Sequence, residues 1–330
     1  MNLILACVLF PVGLVLLLKS ADLLVDGAAG LAQRFGISPL VIGLTVVAMG
    51  TSAPEVAASI TAALTHSGAI ALGNVYGSNV ANLALVGGLC ALLRPTQVSA
   101  GVLRRELPAM LLVGGLLWPL FRDGTLGRAE SVGLLALFLA LLVYTIATAR
   151  RAAKADLEST VRAGVVELHP HVPARMPRSL PKAVVFVVVG LFGLALGAYL
   201  TVESAKAVGR AVGISDAVLG ITVVAIGTSL PELITSLVAT FKGEDDISVG
   251  NLVGSNIFNT MLVVGMAGTV RPFSVEARFV RGDFAIMMGV SAAFWLLALP
   301  RKRLSRTAGA LLVLGYAAYM VYLFGYTRHI

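Results

Sequence analysis

Residues 50–55 read Gly50-Thr51-Ser52-Ala53-Pro54-Glu55: two hydroxyls, a proline and a carboxylate inside an otherwise apolar run that begins upstream with Val41-Ile42-Gly43-Leu44. The phrase returns as Gly227-Thr228-Ser229-Leu230-Pro231-Glu232. An ionisable side chain at bilayer depth is disfavoured by several kcal/mol, so two at matching positions point to function before structure. The repetition extends well beyond the phrase. Residues 36–95 align with 213–272 at a constant offset of 177 without a gap, and 28 of the 60 positions are identical. Two similar packing units would account for the repeated glycines, but not for the duplicated Glu, Ser and Asn.

Composition fixes the class of protein around this repeat. Of 330 residues, 58% are hydrophobic and 13% charged, and the mean hydropathy is +0.91. Soluble domains carry about 25% charged residues, and no soluble fold of this length hides so much apolar surface. Long apolar stretches, not alternating ten-residue segments, exclude a transmembrane barrel. Cys7 and Cys90 lie in apolar runs and form neither a disulfide framework nor a metal motif. Leu3-Ile4-Leu5-Ala6-Cys7 lacks a basic flank and the apolar run continues to Leu18, so it reads as a first span and not a leader. The net charge of +8 reports topology and not nucleic-acid binding.

A helical span needs about 20 apolar residues. Ten are expected, at 2–20, 38–64, 70–93, 105–121, 130–149, 182–203, 215–241, 247–270, 280–299 and 307–327. The fold class is therefore an all-α polytopic membrane protein. Residues 1–149 and 182–330 each hold five spans, and 150–181, rich in Arg and Pro, reads as a flexible cytoplasmic linker. An odd number of spans per half makes the second half enter from the opposite side, giving two inverted repeats. In such architectures substrate sites lie near the midplane, on interrupted helices. Placing 150–181 in the cytoplasm puts 17 of the 25 basic residues on that side, with both termini extracytoplasmic in a cell membrane.

The polar phrase predicts its own chemistry. Pro54 and Pro231 lack an N–H and crowd the carbonyls of Gly50 and Gly227, so each helix should kink and free carbonyls around Ala48–Thr51 and Ala225–Thr228. Free carbonyls are tolerated at membrane depth only against protein, water or an ion. Thr51 shares a helix face with Glu55, as Thr228 does with Glu232, and Ser78 with Asn82 and Ser255 with Asn259 are likewise four apart. Such a set is all oxygen donors without His or Cys, which suits hard cations, Ca²⁺ among them. Two carboxylates balance one Ca²⁺, two Na⁺ or two protons. A site that is neutral when loaded and unfavourable when empty would enforce exchange. Asn74, Asn79, Asn251 and Asn256 read as helix-to-helix hydrogen-bond partners in preference to ligands. Gly73/Gly77 and Gly250/Gly254 read as close-packing pairs.

These phrases, with Gly77-Ser78-Asn79-Val80-Ala81-Asn82 and Gly254-Ser255-Asn256-Ile257-Phe258-Asn259, resemble the two α-repeats of the sodium/calcium exchanger family, in the calcium/cation antiporter superfamily. The resemblance implies Glu55 and Glu232 as central ligands for Ca²⁺ and Na⁺. It implies Thr51, Ser52, Thr228, Ser229, Ser78 and Ser255 as oxygen ligands, mostly to Na⁺, with carbonyls from Ala48 and Ala225 and a centre lined by Asn82 and Asn259. It further implies that the first and sixth helices slide past the core to alternate access. Asn259 stands where potassium-dependent members carry Asp, which argues against potassium dependence. Thr51-Ser52 and Thr228-Ser229 stand where proton/calcium exchangers usually carry Asn-Ala, which favours Na⁺ over H⁺ as counter-ion. The expected activity is Ca²⁺/Na⁺ antiport, with H⁺/Ca²⁺ antiport as the alternative and an ion channel behind it. The expected partners are the two cations and the bilayer, with no cofactor, nucleic acid or obligate protein partner. No metallopeptidase or serine-hydrolase pattern lies at helix depth, so no enzyme is expected.

Charged residues elsewhere carry blander expectations. Asp22 and Asp26, and Glu203 with Lys206, read as interfacial anchors. His66, His169, His171 and His329 read as solvated. Trp118, Trp295, Tyr316, Tyr319 and Tyr322 read as belt or lipid-facing residues.

Overall fold

The computed structural model describes residues 2–163, 179–214 and 225–327. Its helices are α1 (Leu3–Phe35), α2 (Pro39–Thr51), α3 (Ala53–Leu64), α4 (Gly68–Leu93), α5 (Leu107–Gly115), α6 (Leu117–Leu120), α7 (Arg128–Ala163), α8 (Leu180–Ala211), α9 (Ala225–Thr228), α10 (Leu230–Lys242), α11 (Asp245–Val270), α12 (Ala277–Ala298) and α13 (Arg306–Thr327). Large apolar side chains such as Ile4, Leu112, Val143 and Phe192 are exposed on them. Apolar surface on that scale belongs against lipid, and the chain is a multi-pass membrane protein.

Among the described residues seven helices are long and apolar enough to cross a membrane, or eight when the α2–α3 pair, bent by 44°, counts as one span. The ten expected spans differ from this count at two places. The fourth is interrupted at Leu116: the π-helical turn Val102–Glu106 runs straight into α5, and α6 follows after Leu116. The seventh begins in residues 215–224, outside the described residues, leaving α9 and α10. A second departure concerns the expected linker. Helix α7 runs on to Ala163, so the first part of 150–181 is helical. His169-Pro170-His171, Arg175, Arg178 and His329 lie outside the described residues.

Helices α4 and α11 form the centre. Their most apolar windows are 78% and 89% buried, against 22% and 33% in α1 and α8. Helix α11 crosses α2 at glycine. A Cβ on Gly250 would lie 2.7 Å from the Leu40 carbonyl, and one on Gly254 2.6 Å from the Leu44 carbonyl. Small residues let helix backbones approach this closely in lipid. Gly73 and Gly77, expected to pack alike, meet nothing nearer than 3.9 Å among the described residues. The residues that correspond to Leu40 and Leu44 by the repeat offset lie within 215–224, outside the described residues.

Helices α1 and α8 have 33 and 32 residues, about 50 Å of helix at 1.5 Å per residue. They pack against each other along glycines. A Cβ on Gly190 would lie 2.8 Å from the Leu24 amide nitrogen, and one on Gly197 2.9 Å from that of Leu17. Gly190→Leu should therefore lower stability by roughly 1–3 kcal/mol through overpacking. Thermal unfolding in detergent reads this, with Gly133→Leu as the control, because nothing lies within 4 Å of a Cβ there. No difference between the two variants would refute the contact. Both helices end alike: Gly36 (φ +62) and Gly213 (φ +84) are left-handed. The next amide returns to the helix, Ile37 to the Ala32 carbonyl at 3.0 Å and Ile214 to that of Gly209 at 2.9 Å. This C-cap explains why Gly-Ile heads both copies of the repeat.

Two short antiparallel pairs tie the loops. β1 (Thr96–Gln97) pairs with β4 (Arg303–Leu304), and β2 (Thr125–Leu126) with β3 (Phe273–Ser274). β1 follows the C-terminus of α4 and meets the N-terminus of α11, where the Gln97 amide donates to Asp245 Oδ2 at 3.0 Å. β3 follows the C-terminus of α11. The pairs thus gather loops at opposite ends of the molecule, and β1 and β3 occupy equivalent positions of the two repeats.

Candidate ion-binding site

The proline phrases break their helices two residues before the proline. Ser52 (φ −82, ψ 7) separates α2 from α3, and Ser229 (φ −88, ψ 6) separates α9 from α10. Pro54 and Pro231 sit in the first turn of the new helix, where a missing N–H breaks no helical bond. Glu55 and Glu232 follow directly, in the first turns of α3 and α10. The Ala48 carbonyl is not bare: it accepts the Ser52 amide at 3.0 Å and the Thr51 hydroxyl at 3.4 Å.

The two carboxylates are fully buried and close enough to repel each other. Each is held by a hydroxyl from the other repeat. Ser52 Oγ donates to Glu232 Oε1 at 2.9 Å, and Ser229 Oγ to Glu55 Oε1 at 3.4 Å. Ser78 Oγ from α4 also donates to Glu55 Oε1 at 3.4 Å, and Ser229 lies 3.3 Å from Ser78. Behind each carboxylate stands an asparagine brace. Asn74 Nδ2 donates to the Glu55 carbonyl at 3.2 Å and to Ser59 Oγ at 2.9 Å. Asn251 Nδ2 donates to the Glu232 carbonyl at 3.5 Å and to Ser236 Oγ at 2.9 Å. Asn251 Oδ1 accepts Thr51 Oγ1 at 3.0 Å. Asn79 and Asn256 join α4 to α11: Asn256 donates to the Asn79 carbonyl at 3.2 Å, and Asn79 to Thr260 Oγ1 at 3.0 Å. All four thus make the helix-to-helix bonds expected of them.

Asn82 and Asn259 are buried at equivalent places at the start of a π-helical segment, second in Ala81–Val86 and first in Asn259–Val263. Asn82 Nδ2 donates to Asn256 Oδ1 at 3.2 Å. Ser255 is buried facing the Glu232 carboxylate. Thr228 is half-buried in α9, and the side chain of Ala225 lies outside the described residues.

The second carboxylate oxygens of Glu55 and Glu232, both amide oxygens of the Asn82–Asn259 pair, and Ser255 Oγ are buried without a hydrogen-bond partner. A buried acceptor left unmatched is unfavourable by about 1–3 kcal/mol, more when charged. A dehydrated cation matches such a set: two charges and several neutral oxygens, without nitrogen or sulfur ligands. The sequence profile of the family described as Sodium/calcium exchanger protein matches residues 5–147 and 182–325. The chain belongs to this family. Its relatives include the Inner membrane protein YrbG of Escherichia coli, 39% identical over 97% of both chains. Another is the Sodium/calcium exchanger MaX1 of Methanosarcina acetivorans, 30% identical over 94% of this chain and 96% of that one. A solved structure of the sodium-calcium exchanger NCX_Mj, soaked with 2.5 mM Na⁺ and 0.1 mM Ca²⁺, superposes with a TM-score of 0.81 at 30% identity. It covers 96% of this chain and 98% of that one. The family is one of cation antiporters, and the fold of this member is that of NCX_Mj.

Sequence reasoning missed the π-helical segments, which have no sequence signature, and the Ser59 and Ser236 ends of the asparagine braces. The latter were legible: both serines are four residues after a glutamate and are identical between the repeats. Two belt assignments also change, and the acidic anchors acquire partners. Asp22 and Asp26 both contact Lys242 Nζ at 2.6 Å, joining α1 to α10. Trp295 Nε1 donates to the Leu103 carbonyl at 2.8 Å, inside the Val102–Glu106 π-turn, and Tyr319 is buried. Glu203 pairs with Lys206 at 2.7 Å.

Proposed function

We propose that the chain is a secondary active antiporter that exchanges Ca²⁺ for Na⁺ by alternating access. The observation that carries this reading is the crossed pair: two fully buried carboxylates, each held by a serine of the opposite repeat, each with one oxygen left unmatched. Glu55 and Glu232 take the cation charge. Thr51, Ser52, Thr228, Ser229, Ser78 and Ser255 supply neutral oxygens, Ala225 a carbonyl, and Asn82 and Asn259 line the centre. Two negative charges are balanced by one Ca²⁺ or by two Na⁺, so the site is neutral with either cargo. Empty, it leaves two repelling charges away from water, which several kcal/mol of desolvation disfavours. Only loaded protein then changes its facing, and exchange follows.

Hydroxyls placed directly on both carboxylates support Na⁺ as counter-ion, as does the similarity to MaX1 and NCX_Mj. In this reading residues 1–149 and 182–330 are inverted five-helix halves joined by 150–181, both termini are extracytoplasmic, and α1 and α8 slide along the core. Its partners in this reading are the transported cations and the bilayer, with no obligate protein partner, no cofactor and no catalytic residue. Uptake of ⁴⁵Ca²⁺ into vesicles at clamped voltage tests it. Uptake should follow an outward Na⁺ gradient and ignore an imposed proton gradient. Uptake driven by protons and indifferent to Na⁺ would overturn the assignment of Na⁺.

A further inference from the structure

The surroundings of Glu232 and Glu55 differ along the helices that leave them. Below Glu232 runs a column of buried hydroxyls. Asn251 joins the Glu232 carbonyl to Ser236 Oγ. Ser248 Oγ donates to the Ser236 carbonyl at 3.1 Å and lies 2.9 Å from Thr240 Oγ1. The Arg94 guanidinium closes the column on the Thr240 carbonyl, and the Cys90 thiol lies against Thr240 and Ser248. Thr235, on the next turn of α10 after Glu232, is fully buried with its hydroxyl unpartnered. The column ends beside a cavity of about 530 Å³ whose lining includes Gln97, Ser99, Glu244, Asp245, Asp246 and Lys302.

The repeat supplies an internal control. At the positions equivalent to Thr235, Thr240, Ser248 and Cys90 stand Ala58, Ala63, Ala71 and Ala267. Three of these pack with Ala62 in an apolar cluster against Phe273, at the other end of the molecule. The equivalents of Glu244, Asp245 and Asp246 are Ser67, Gly68 and Ala69. Helix packing needs none of these hydroxyls, since the related half packs with alanine. An acidic mouth raises the local concentration of cations, and hydroxyl oxygens are the ligands that a partly dehydrated Na⁺ or Ca²⁺ exchanges for water.

We propose that cations pass between the site and the end bearing Asp245 along the Thr235–Ser236–Thr240–Ser248 column, with Glu244, Asp245 and Asp246 as its mouth. The other end has no such hydroxyl column among the described residues, so the two faces handle the same ions unequally. This rests on the antiport reading above.

The test uses the full chain in vesicles of known orientation, with the half-saturating Ca²⁺ concentration for exchange measured at each face. The variant Thr235→Ala/Thr240→Ala/Ser248→Ala installs the residues of the related half. It should raise that concentration several-fold at the Asp245 face and leave the other face unchanged, while Ca²⁺ still raises its melting temperature. Equal effects at both faces, or none, overturn the proposal. Should the variant not fold, native Cys90 gives a second readout in a Cys7→Ser background. A small cationic thiol reagent should block exchange from the Asp245 face, and Cys90→Ala should be resistant. Block from the other face alone, or no block from either, overturns the proposal. A parent that exchanges no cation would sink the antiport reading and this one together, whereas an active parent with face-independent effects sinks only the column.

Discussion

Glu55→Gln and Glu232→Gln should each abolish Ca²⁺ exchange while leaving the protein folded. Either change removes one of the two charges facing the cation, so a site loaded with Ca²⁺ keeps an uncompensated positive charge away from water. Breaking a buried charge pair from one side is unfavourable by about 3–5 kcal/mol, which at 1.36 kcal/mol per decade is roughly 10²–10⁴-fold in rate. Folding should survive for a geometric reason. The hydrogen bonds from Ser52, Ser78 and Ser229 all use a single oxygen of each carboxylate, Oε1, and glutamine retains an acceptor there. Removing one charge also relieves the repulsion between the pair. The ion-free variants should therefore melt at or above the parent's temperature, and Ca²⁺ should no longer raise it. Transport at the parental rate by either variant would defeat the assignment of both carboxylates, because the site counts them as a pair.

Much of this site could be read from the chain because the repeat is nearly its own alignment. Twenty-eight identities in sixty positions separate what both halves need from what either tolerates, and Glu55/Glu232, Ser78/Ser255 and Asn82/Asn259 are all among them. Membrane composition then fixed helices and excluded most alternatives. What escaped was local backbone geometry. The break at Ser52 lies before Pro54 because the proline ring is accommodated in the first turn of a new helix. The π-helical segments at Asn82 and Asn259 widen one turn each without any marker residue. The fourth span was legible as apolar, and the interruption at Leu116, between Gly114-Gly115 and Pro119, was not read from it. The end of α7 was hidden for the opposite reason: basic, proline-rich composition reads as linker, yet the helix carries on to Ala163 before the first proline.

Asn259→Asp should convert the exchanger into one that moves Ca²⁺ poorly unless a further monovalent cation accompanies it. Asn259 is fully buried, and neither atom of its amide has a hydrogen-bond partner, so the nearly isosteric replacement breaks no bond and acts through charge. Three carboxylates leave a net negative charge with one Ca²⁺ bound, and likewise with two Na⁺. That charge has the desolvation penalty of a single buried ion, several kcal/mol, so turnover with Ca²⁺ alone should fall by about 10²-fold or more. Adding Na⁺ or K⁺ on the same side as Ca²⁺ restores neutrality and should restore much of the rate, where the parent gains nothing from it or is inhibited by competition. The matched replacement Asn82→Asp tests whether the requirement is for charge in the centre or for charge at one place. Asn82 donates its amide N–H to Asn256, and aspartate cannot, so this variant should lose stability as well as turnover and recover less on adding the second cation. Parental turnover by Asn259→Asp with Ca²⁺ alone would mean that Asn259 stands outside the field of the site, and the charge count of two would then lose its force.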